Sequence, residues 1–491
     1  MPTRGMTVRE EQIALSHRML DAMENRNIAL CDAGTGIGKT YAYLTAGIAF
    51  MSERDRDGRL FQPVLISTSS IALQNAVLNE YLPFLTRILM ADGQIRNLIA
   101  ALKAEKCTAA ATNLQKAAVP LLTALENPDG DREFSAYAKH LALLDRALSV
   151  IRSAVQDRAT PLVIRRLKEL ARTVTYLLEE SNQMVRYVSV NETGEAVLCA
   201  TVTNLGVRLA ETMWERPCPY ILTSGTMAVG PSFQRFREEA GLAQCLRVKE
   251  SVSLSPFDYE ENCRLYLPVN PVSFTDPQYY DKLSADIAAL ITASNGHALV
   301  LFTSYAAMSA VKERLLLKNL PWPIFTLNHN ANYTVEQFRR SPGAVLLATG
   351  AAWEGFDFPG DAVSMLIIPR LPFPLPDAVK EAERERYDTL RDYIRAVIVP
   401  EMQIKLKQGF GRAIRTETDT CAVAILDERA CAGGRYHEDV LSALPEMRRA
   451  DTMRDIEDYI RSVKSEQYFT EGNEKHGEER ERGLLRSPQS A

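Results

Sequence analysis

The sequence has no excess of either charge and no long apolar run. Lysine and arginine total 57 against 62 aspartate and glutamate residues, for a formal net charge of −5 over 491 residues. This balance neither supports nor excludes a nucleic-acid partner, because a strand channel needs only local positive charge. No apolar run approaches the roughly 18–20 residues that a membrane-spanning helix requires, and residues 1–12 lack the apolar core of a secretory signal. We therefore expect a cytoplasmic protein that acts away from membranes.

The spacing of cysteine and histidine is that of neither a disulfide framework nor a zinc site. The eight cysteines include no C-x-x-C pair, and the six histidines are equally dispersed. Such a distribution predicts reduced thiols rather than disulfides, and it contains no spacing typical of zinc ligands.

What is present is an alternation of strand and helix signals in two parts of the chain. Short apolar runs between loops and helical patterns indicate parallel sheets covered by helices, an α/β fold. The strand candidates are residues 28–31, 64–66, 220–222, 298–302, 345–347, 365–368 and 422–426. A capping box at residues 7–10 (T-V-R-E) predicts the start of a helix that ends near Asn25.

Residues from about 95 to 185 have a helical pattern instead. Apolar side chains recur every three or four residues over 141–155, and a second such stripe covers 163–177. Thr160 and Pro161 are the residue types of a helix N-cap and first helical position. We interpret this segment as an all-helical insertion whose apolar residues form a core.

Residues 33–40 read A-G-T-G-I-G-K-T and fit the phosphate-binding loop, (A/G)-x-x-x-x-G-K-(S/T). Glycines let backbone amides curl around phosphate oxygens, and the following helix directs its positive end at the same anion. The ATP-binding candidates here are Gly34, Thr35, Gly36, Ile37, Gly38, Lys39 and Thr40. Lys39 is expected to reach the β- and γ-phosphates, and Thr40 to hold Mg²⁺; both are catalytic candidates.

Residues 408–415 read Q-G-F-G-R-A-I-R and place two arginines about one helical turn apart. Guanidinium groups stabilise charge on a γ-phosphate during its transfer. Alone, such a fragment is more often a solvated basic helix face. Together with the phosphate loop it predicts the other half of an ATP site, with Gln408, Arg412 and Arg415 as catalytic candidates.

The phosphate loop and this arginine motif together resemble superfamily 2 helicases, and the segments between them resemble the DinG and XPD branch. The matching segments are residues 9–12 (R-E-E-Q), 67–74 (S-T-S-S-I-A-L-Q), 223–227 (T-S-G-T-M), 255–259 (S-P-F-D-Y), 301–305 (L-F-T-S-Y), 353–360 (W-E-G-F-D-F-P-G) and 369–374 (P-R-L-P-F-P). They follow the family's order and cover residues 9–90 and about 215–430.

The resemblance implies two RecA-like parallel-sheet domains that bind ATP between them, with the helical insertion in the first. We expect the first domain at residues 1–94 and 198–252, the insertion at 95–197, the second domain at 253–464 and a disordered tail at 465–491. The tail is expected because these residues are polar and weakly periodic.

The resemblance also implies site residues. Gln12 would contact the adenine, while Gly355 and Asp357 would couple the nucleotide to the DNA strand. Thr68, Ser304 and Trp353 would line the strand path. An aromatic ring can stack on any base, although a buried core position is the alternative for Trp353.

The implied function is an ATP-dependent helicase, acting as a monomer, that moves 5′ to 3′ on single-stranded DNA. Relatives of this type usually hold an iron–sulfur cluster with four cysteines, but only Cys107 lies between residues 75 and 198. We therefore expect ATP and Mg²⁺ but no cluster. A cluster-free chain with a helical insertion resembles the DinG-family helicase of type IV CRISPR systems, which implies a guide-RNA effector complex as partner. A free-standing DNA-repair helicase is the alternative.

One family motif is missing. The D-E-A-H carboxylates, which organise Mg²⁺ and the attacking water in relatives, do not occur, and the fragment I-L-D-E-R at 425–429 follows the arginine motif instead. Either the protein is an ATP-gated strand clamp, or the sequence omits an internal stretch. We favour omission because the arginine motif would be idle without hydrolysis. Omission predicts a break between about Met90 and Asp131, with neighbouring Cα atoms farther apart than about 3.8 Å.

Overall fold

The structure is a computed structural model that describes residues 9–34, 36–56, 87–90, 92–126, 133–156, 158–179, 184–190, 196–202, 205–228, 232–327, 331–353, 358, 360–414 and 416–470. Within these ranges no helix combines the length and the apolar character needed to cross a membrane.

The strands of these ranges are β1 (Ile28–Ala33), β2 (Arg87–Met90), β3 (Met184–Val190), β4 (Ala196–Val202), β5 (Tyr220–Ser224), β6 (Val248–Ser253), β7 (Cys263–Tyr266), β8 (Ala298–Leu301), β9 (Ile324–Thr326), β10 (Val345–Ala348), β11 (Met365–Ile368), β12 (Cys421–Ile425) and β13 (Arg448–Ala450). The α-helices are α1 (Glu10–Glu24), α2 (Lys39–Arg56), α3 (Asp92–Ala104), α4 (Thr108–Glu126), α5 (Ala138–Val155), α6 (Pro161–Leu178), α7 (Leu205–Leu209), α8 (Gln234–Glu239), α9 (Tyr259–Asn262), α10 (Tyr279–Ala293), α11 (Tyr305–Leu317), α12 (Ala331–Arg340), α13 (Ala378–Arg384), α14 (Leu390–Tyr393), α15 (Val399–Phe410), α16 (His437–Ala443) and α17 (Met453–Val463). A π-helical turn, Ile394–Ile398, joins α14 to α15.

The first sheet is parallel, with the order β5-β1-β6. Its central strand β1 is buried at every residue, and α1 packs on one face through Leu15 and Met19. In the register, Cys31 lies opposite Thr223 of β5 and Ser251 of β6. Ligands of open parallel sheets bind beyond the carboxyl ends of the strands. That edge carries both the phosphate loop and residues 223–227.

The second sheet is also parallel, with the order β13-β7-β12-β11-β8-β10-β9. Its inner strands β8, β10, β11 and β12 are buried at every position, as expected for strands covered on both faces. They coincide with the predicted apolar runs, so the α/β fold with parallel sheets is confirmed. The predicted strand at residues 64–66 lies outside the described residues.

The insertion contains helices α3 to α6, and its predicted apolar stripes are buried in one core. The prediction that it is all-helical needs correction, because β2, β4 and β3 form an antiparallel sheet beside the helices. The missed signal is the pair of β-branched runs at 184–190 and 196–202, separated by N-E-T-G-E. Pro161 is at the start of α6 as predicted, but Thr160 makes no side-chain cap; its amide donates to Glu105 at 2.8 Å.

One further prediction about a chain segment is wrong. The predicted capping box places Glu10 in the third helical position, whereas α1 begins at Glu10 with Arg9 as its N-cap residue. The predicted chain break between about Met90 and Asp131 stays a prediction, since residues 91 and 127–131 lie outside the described residues. Within residues 92–126, backbone hydrogen bonds such as Cys107 N to Leu102 O, 2.9 Å, join α3 to α4. Thr7 lies outside the described residues.

The first residues of the predicted disordered tail are ordered. Tyr468 is 5% exposed, and its hydroxyl donates to Ser294 O at 2.6 Å. Its ring stacks on His297 with centroids 4.2 Å apart. The prediction of disorder from residue 465 is therefore wrong for the segment up to 470, because one buried aromatic residue anchors it; residues 471–491 lie outside the description.

Candidate functional site

The phosphate loop joins the carboxyl end of β1 directly to α2, whose first residue is Lys39. The Lys39 ammonium donates to Ala33 O at 2.8 Å and Gly34 O at 3.2 Å, so its side chain folds back over the loop. Gly36 and Gly38 have φ angles of 85° and 81°, in a region that favours glycine. The sequence motif therefore forms the strand–loop–helix geometry of an anion site. Thr35 and the side chain of Thr40 lie outside the described residues.

Three side chains or segments approach this loop so closely that only glycine fits. A Cβ atom at Gly36 would overlap the ring of Phe257, and one at Gly38 would overlap the amide of Gln12. A Cβ atom at Gly34 would lie 2.8 Å from Ser255 N. Gln12 Nε2 also donates to Gly38 O at 3.0 Å. The structure thus places Gln12 on the loop; its contact with adenine stays a prediction.

The arginine motif belongs to the second sheet, yet its helix lies against the first. Near the end of α15, Lys407 Nζ is 3.4 Å from Asp32 Oδ2. Gln408 Nε2 is 3.5 Å from the Thr226 hydroxyl. Arg412 follows α15 and donates to Trp353 O at 3.3 Å. The two sequence-predicted halves of the site therefore meet at the carboxyl end of β1; Arg415 lies outside the described residues.

The linker between the two sheets contacts both halves of the site. It runs from β6 to β7 and carries Phe257, whose ring packs against Gly36. Phe257 meets Tyr259 edge-on at 6.0 Å, and Tyr259 meets Phe410 at 5.4 Å between centroids. A continuous line of aromatic rings thus connects the phosphate loop with the end of α15.

The prediction that Trp353 stacks on a DNA base is contradicted. Trp353 is 1% exposed, and its indole nitrogen donates to Phe302 O at 2.9 Å. A Cβ atom on Gly409 would lie 2.7 Å from its ring. Because the ring is enclosed, it cannot reach a base; it supports the arginine motif, and the glycine of that motif makes room for it.

Of the other predicted strand-path residues, the structure describes Ser304. It is exposed and caps α11, with its hydroxyl oxygen accepting from Ala307 N at 3.2 Å. Next to it, Tyr305 is 62% exposed. Thr68, Gly355 and Asp357 lie outside the described residues.

Sequence reasoning missed Asp32 and Lys407, which bring the two halves together. The available signal was a charged residue within the otherwise apolar strand Ile28–Ala33. The acidic fragment I-L-D-E-R at 425–429 has a structural role. Asp427 is fully buried, accepts from Leu371 N at 2.8 Å and pairs with Arg429 at 2.7 Å. It belongs to the second sheet and cannot replace the missing carboxylates.

Among the residues described, no group of three or more cysteine, histidine, aspartate or glutamate side chains could hold a metal. Burial raises the pKa of the Cys421 thiol to about 12 and that of Cys431 to about 11. These two thiols are therefore protonated at neutral pH.

Comparison with known proteins agrees with this geometry. The family described as the helicase C-terminal domain matches residues 287–447. The ATP-dependent DNA helicase DinG of Photobacterium profundum is 29% identical over 265 residues, 52% of this chain and 38% of the relative. The ATP-dependent DNA helicase YoaA of Escherichia coli is 32% identical over 344 residues, 69% of this chain and 52% of the relative. The matched part is thus about half of each relative's length or less.

Solved structures share the fold. An XPD helicase structure matches with a TM-score of 0.55 and 14% identity, covering 91% of this chain and all of the matched chain. Xpd4 of S. tokodaii matches with a TM-score of 0.55 and 14% identity over 90% of this chain and all of that one. The chain is therefore similar in sequence to the DNA helicases DinG and YoaA, and it shares its fold with XPD-type structures.

Proposed function

We propose that this chain is an ATP-dependent DNA helicase that translocates 5′ to 3′ on single-stranded DNA. The observation that carries the proposal is the contact of α15, which leads into Arg412, with the carboxyl end of β1 beside Lys39. A motor of this kind requires an ATP site divided between two sheets, since nucleotide then controls their separation. The polarity rests on the family resemblance.

ATP supplies the phosphoanhydride bond whose cleavage drives such a motor. The loop amides and the Lys39 ammonium hold the phosphates, and Thr40 supplies a hydroxyl for Mg²⁺. Arg412 approaches from the second sheet and stabilises charge that develops on the γ-phosphate. The D-E-A-H carboxylates that position water in relatives do not occur in this sequence.

We further propose that single-stranded DNA crosses the exposed start of α11. Backbone amides and hydroxyl groups such as Ser304 hold phosphates without reading sequence. Tyr305 supplies an exposed ring on which any base can stack, the part that Trp353 cannot take.

Single-stranded DNA is expected to stimulate the ATPase, and its binding is expected to weaken steeply with salt, because phosphate contacts release counterions. Replacing Tyr305 with alanine should reduce the stimulation more than the basal rate. Tyr333→Ala, which removes another ring that is 70% exposed, is the matched control. The measurement is phosphate release with and without DNA. If DNA stimulates the Tyr305→Ala and Tyr333→Ala variants equally, Tyr305 does not contact the strand.

Strand displacement separates the helicase from an ATP-gated strand clamp, the second candidate, which the missing D-E-A-H carboxylates favour. The helicase should displace the strand of a 5′-tailed duplex with ATP but not with a non-hydrolysable analogue, and should leave a 3′-tailed duplex intact. ATP-dependent retention of single-stranded DNA without displacement would establish the clamp. Displacement on the 3′ tail alone would reverse the polarity.

We propose a type IV CRISPR effector complex with its guide RNA as the partner. Two features support this: the family resemblance, and a helical insertion that lacks the four cysteines of a cluster. Mixing the purified chain with such a complex on target duplex should produce ATP-dependent unwinding beyond the guide-paired region. Equal unwinding with and without the complex would favour the free-standing repair helicase instead.

The purified protein is expected to contain no iron and no acid-labile sulfide, because one cysteine in residues 75–198 cannot supply four ligands. Iron analysis and the visible absorption spectrum of anaerobically prepared protein test this. A broad band near the visible range with stoichiometric iron would show that cysteines distant in sequence converge on a cluster.

A further inference from the structure

A buried carboxylate lies in the central strand of the first sheet. Asp32 is 4% exposed, and burying a charge is costly unless it is paired and hydrogen-bonded. Its Oδ2 atom accepts from Ala228 N at 3.2 Å and faces Lys407 Nζ at 3.4 Å. No described residue donates a hydrogen bond to its Oδ1 atom. The Lys407 pair is therefore a main compensation for this charge.

This carboxylate joins three segments of the proposed ATP site. Asp32 lies two residues before Gly34 of the phosphate loop, and Ala228 directly follows residues 223–227. Lys407 directly precedes Gln408, which reaches Thr226 of the same segment. From β1, directly below the phosphate loop, the Asp32 side chain thus contacts both the segment that follows β5, at Ala228, and helix α15 of the second domain, at Lys407.

We propose that Asp32 is a positioning residue that fixes α15, and with it Gln408 and Arg412, relative to Lys39. The inference rests on the proposed ATP hydrolysis between the two sheets. The pair is asymmetric, because the Asp32 side chain is 5% exposed and that of Lys407 is 40% exposed. Separation of the sheets would hydrate Lys407 easily but leave the Asp32 charge buried without a cation. The pair therefore favours the closed arrangement in which Arg412 can act.

The sharpest test is Lys407→Met in the full chain, since methionine keeps an apolar stem and removes the charge at a half-exposed position. We expect kcat for ATP to fall about tenfold, the scale of a coupled contact pair. Binding of a fluorescent non-hydrolysable ATP analogue should stay within about twofold, because the phosphate loop is intact. Lys405→Met, two residues earlier on α15, is the control and should leave both values unchanged.

Asp32→Asn and the double variant complete the test. If the two side chains act as a pair, the double variant will be no slower than the slower single variant, whereas independent roles give multiplied losses. Multiplied losses, or a Lys407→Met rate equal to that of Lys405→Met, would overturn the inference. If Asp32→Asn does not fold, the two lysine variants still decide it. A parent chain without ATPase activity would instead refute the proposed function, before any variant is compared.

Discussion

Replacing Lys39 with alanine is expected to abolish ATP hydrolysis and DNA unwinding while the protein still folds. In the structure the Lys39 ammonium donates hydrogen bonds to carbonyl groups of its own loop, at Ala33 and Gly34. Loss of these two hydrogen bonds costs about 1–2 kcal/mol of folding stability. The cation has a far larger effect on charge in the transition state, where removing one stabilising group lowers rates by about 10²–10³-fold.

The measurement is phosphate release at saturating ATP with single-stranded DNA, together with thermal unfolding. Lys249→Ala, which removes an exposed lysine from β6 of the same sheet, is the matched control and should retain the parent's rate. A Lys39→Ala rate within about tenfold of the parent's, in a folded variant, would show that this loop does not hold the reacting phosphates.

Strands β1, β8, β10, β11 and β12 could be predicted because they are buried at every residue. Such strands are continuous apolar runs, as at Met365–Ile368 and Val345–Ala348. The missed strands β6, β7, β9 and β13 each contain residues that are not buried. The phosphate loop could be predicted because its φ angles require glycine at fixed spacing. In both cases a local physical requirement limits the residue types, so the sequence alone carries the information.

Contacts between distant segments could not be predicted in this way. Nothing local distinguishes a tryptophan that stacks on a base from one enclosed by Gly409 and Phe302 O, as Trp353 is. Likewise Tyr468 looks like part of a polar tail until its hydrogen bond to Ser294 O is known. The partner of Asp32, Lys407, lies 375 residues away in sequence. Its identity depends on how the two sheets meet.

Replacing Arg412 with alanine is expected to lower ATP turnover on the order of 10³-fold while ATP binding persists, the scale of a lost arginine finger. Arg412 comes from the second sheet, whereas the phosphate loop comes from the first, so binding to the loop survives the change. Its contact with Trp353 O, 3.3 Å, orients the side chain beside the end of α15. Arg415 is expected to act with it, although its position lies outside the described residues.

The decisive comparison is single-turnover hydrolysis against equilibrium binding of a fluorescent ATP analogue. The control is Arg461→Ala, which removes a guanidinium that is 63% exposed on α17, a helix that packs on the same sheet. It should change neither value. Loss of binding in Arg412→Ala, in parallel with loss of turnover, would mean that Arg412 supports the fold of the site through Trp353. Unchanged turnover would make the arginine motif a solvated helix face, and the two-sheet ATP site would then need another cation. A slow step with intact binding is the result that only a transition-state role explains, because ground-state contacts would weaken both quantities together.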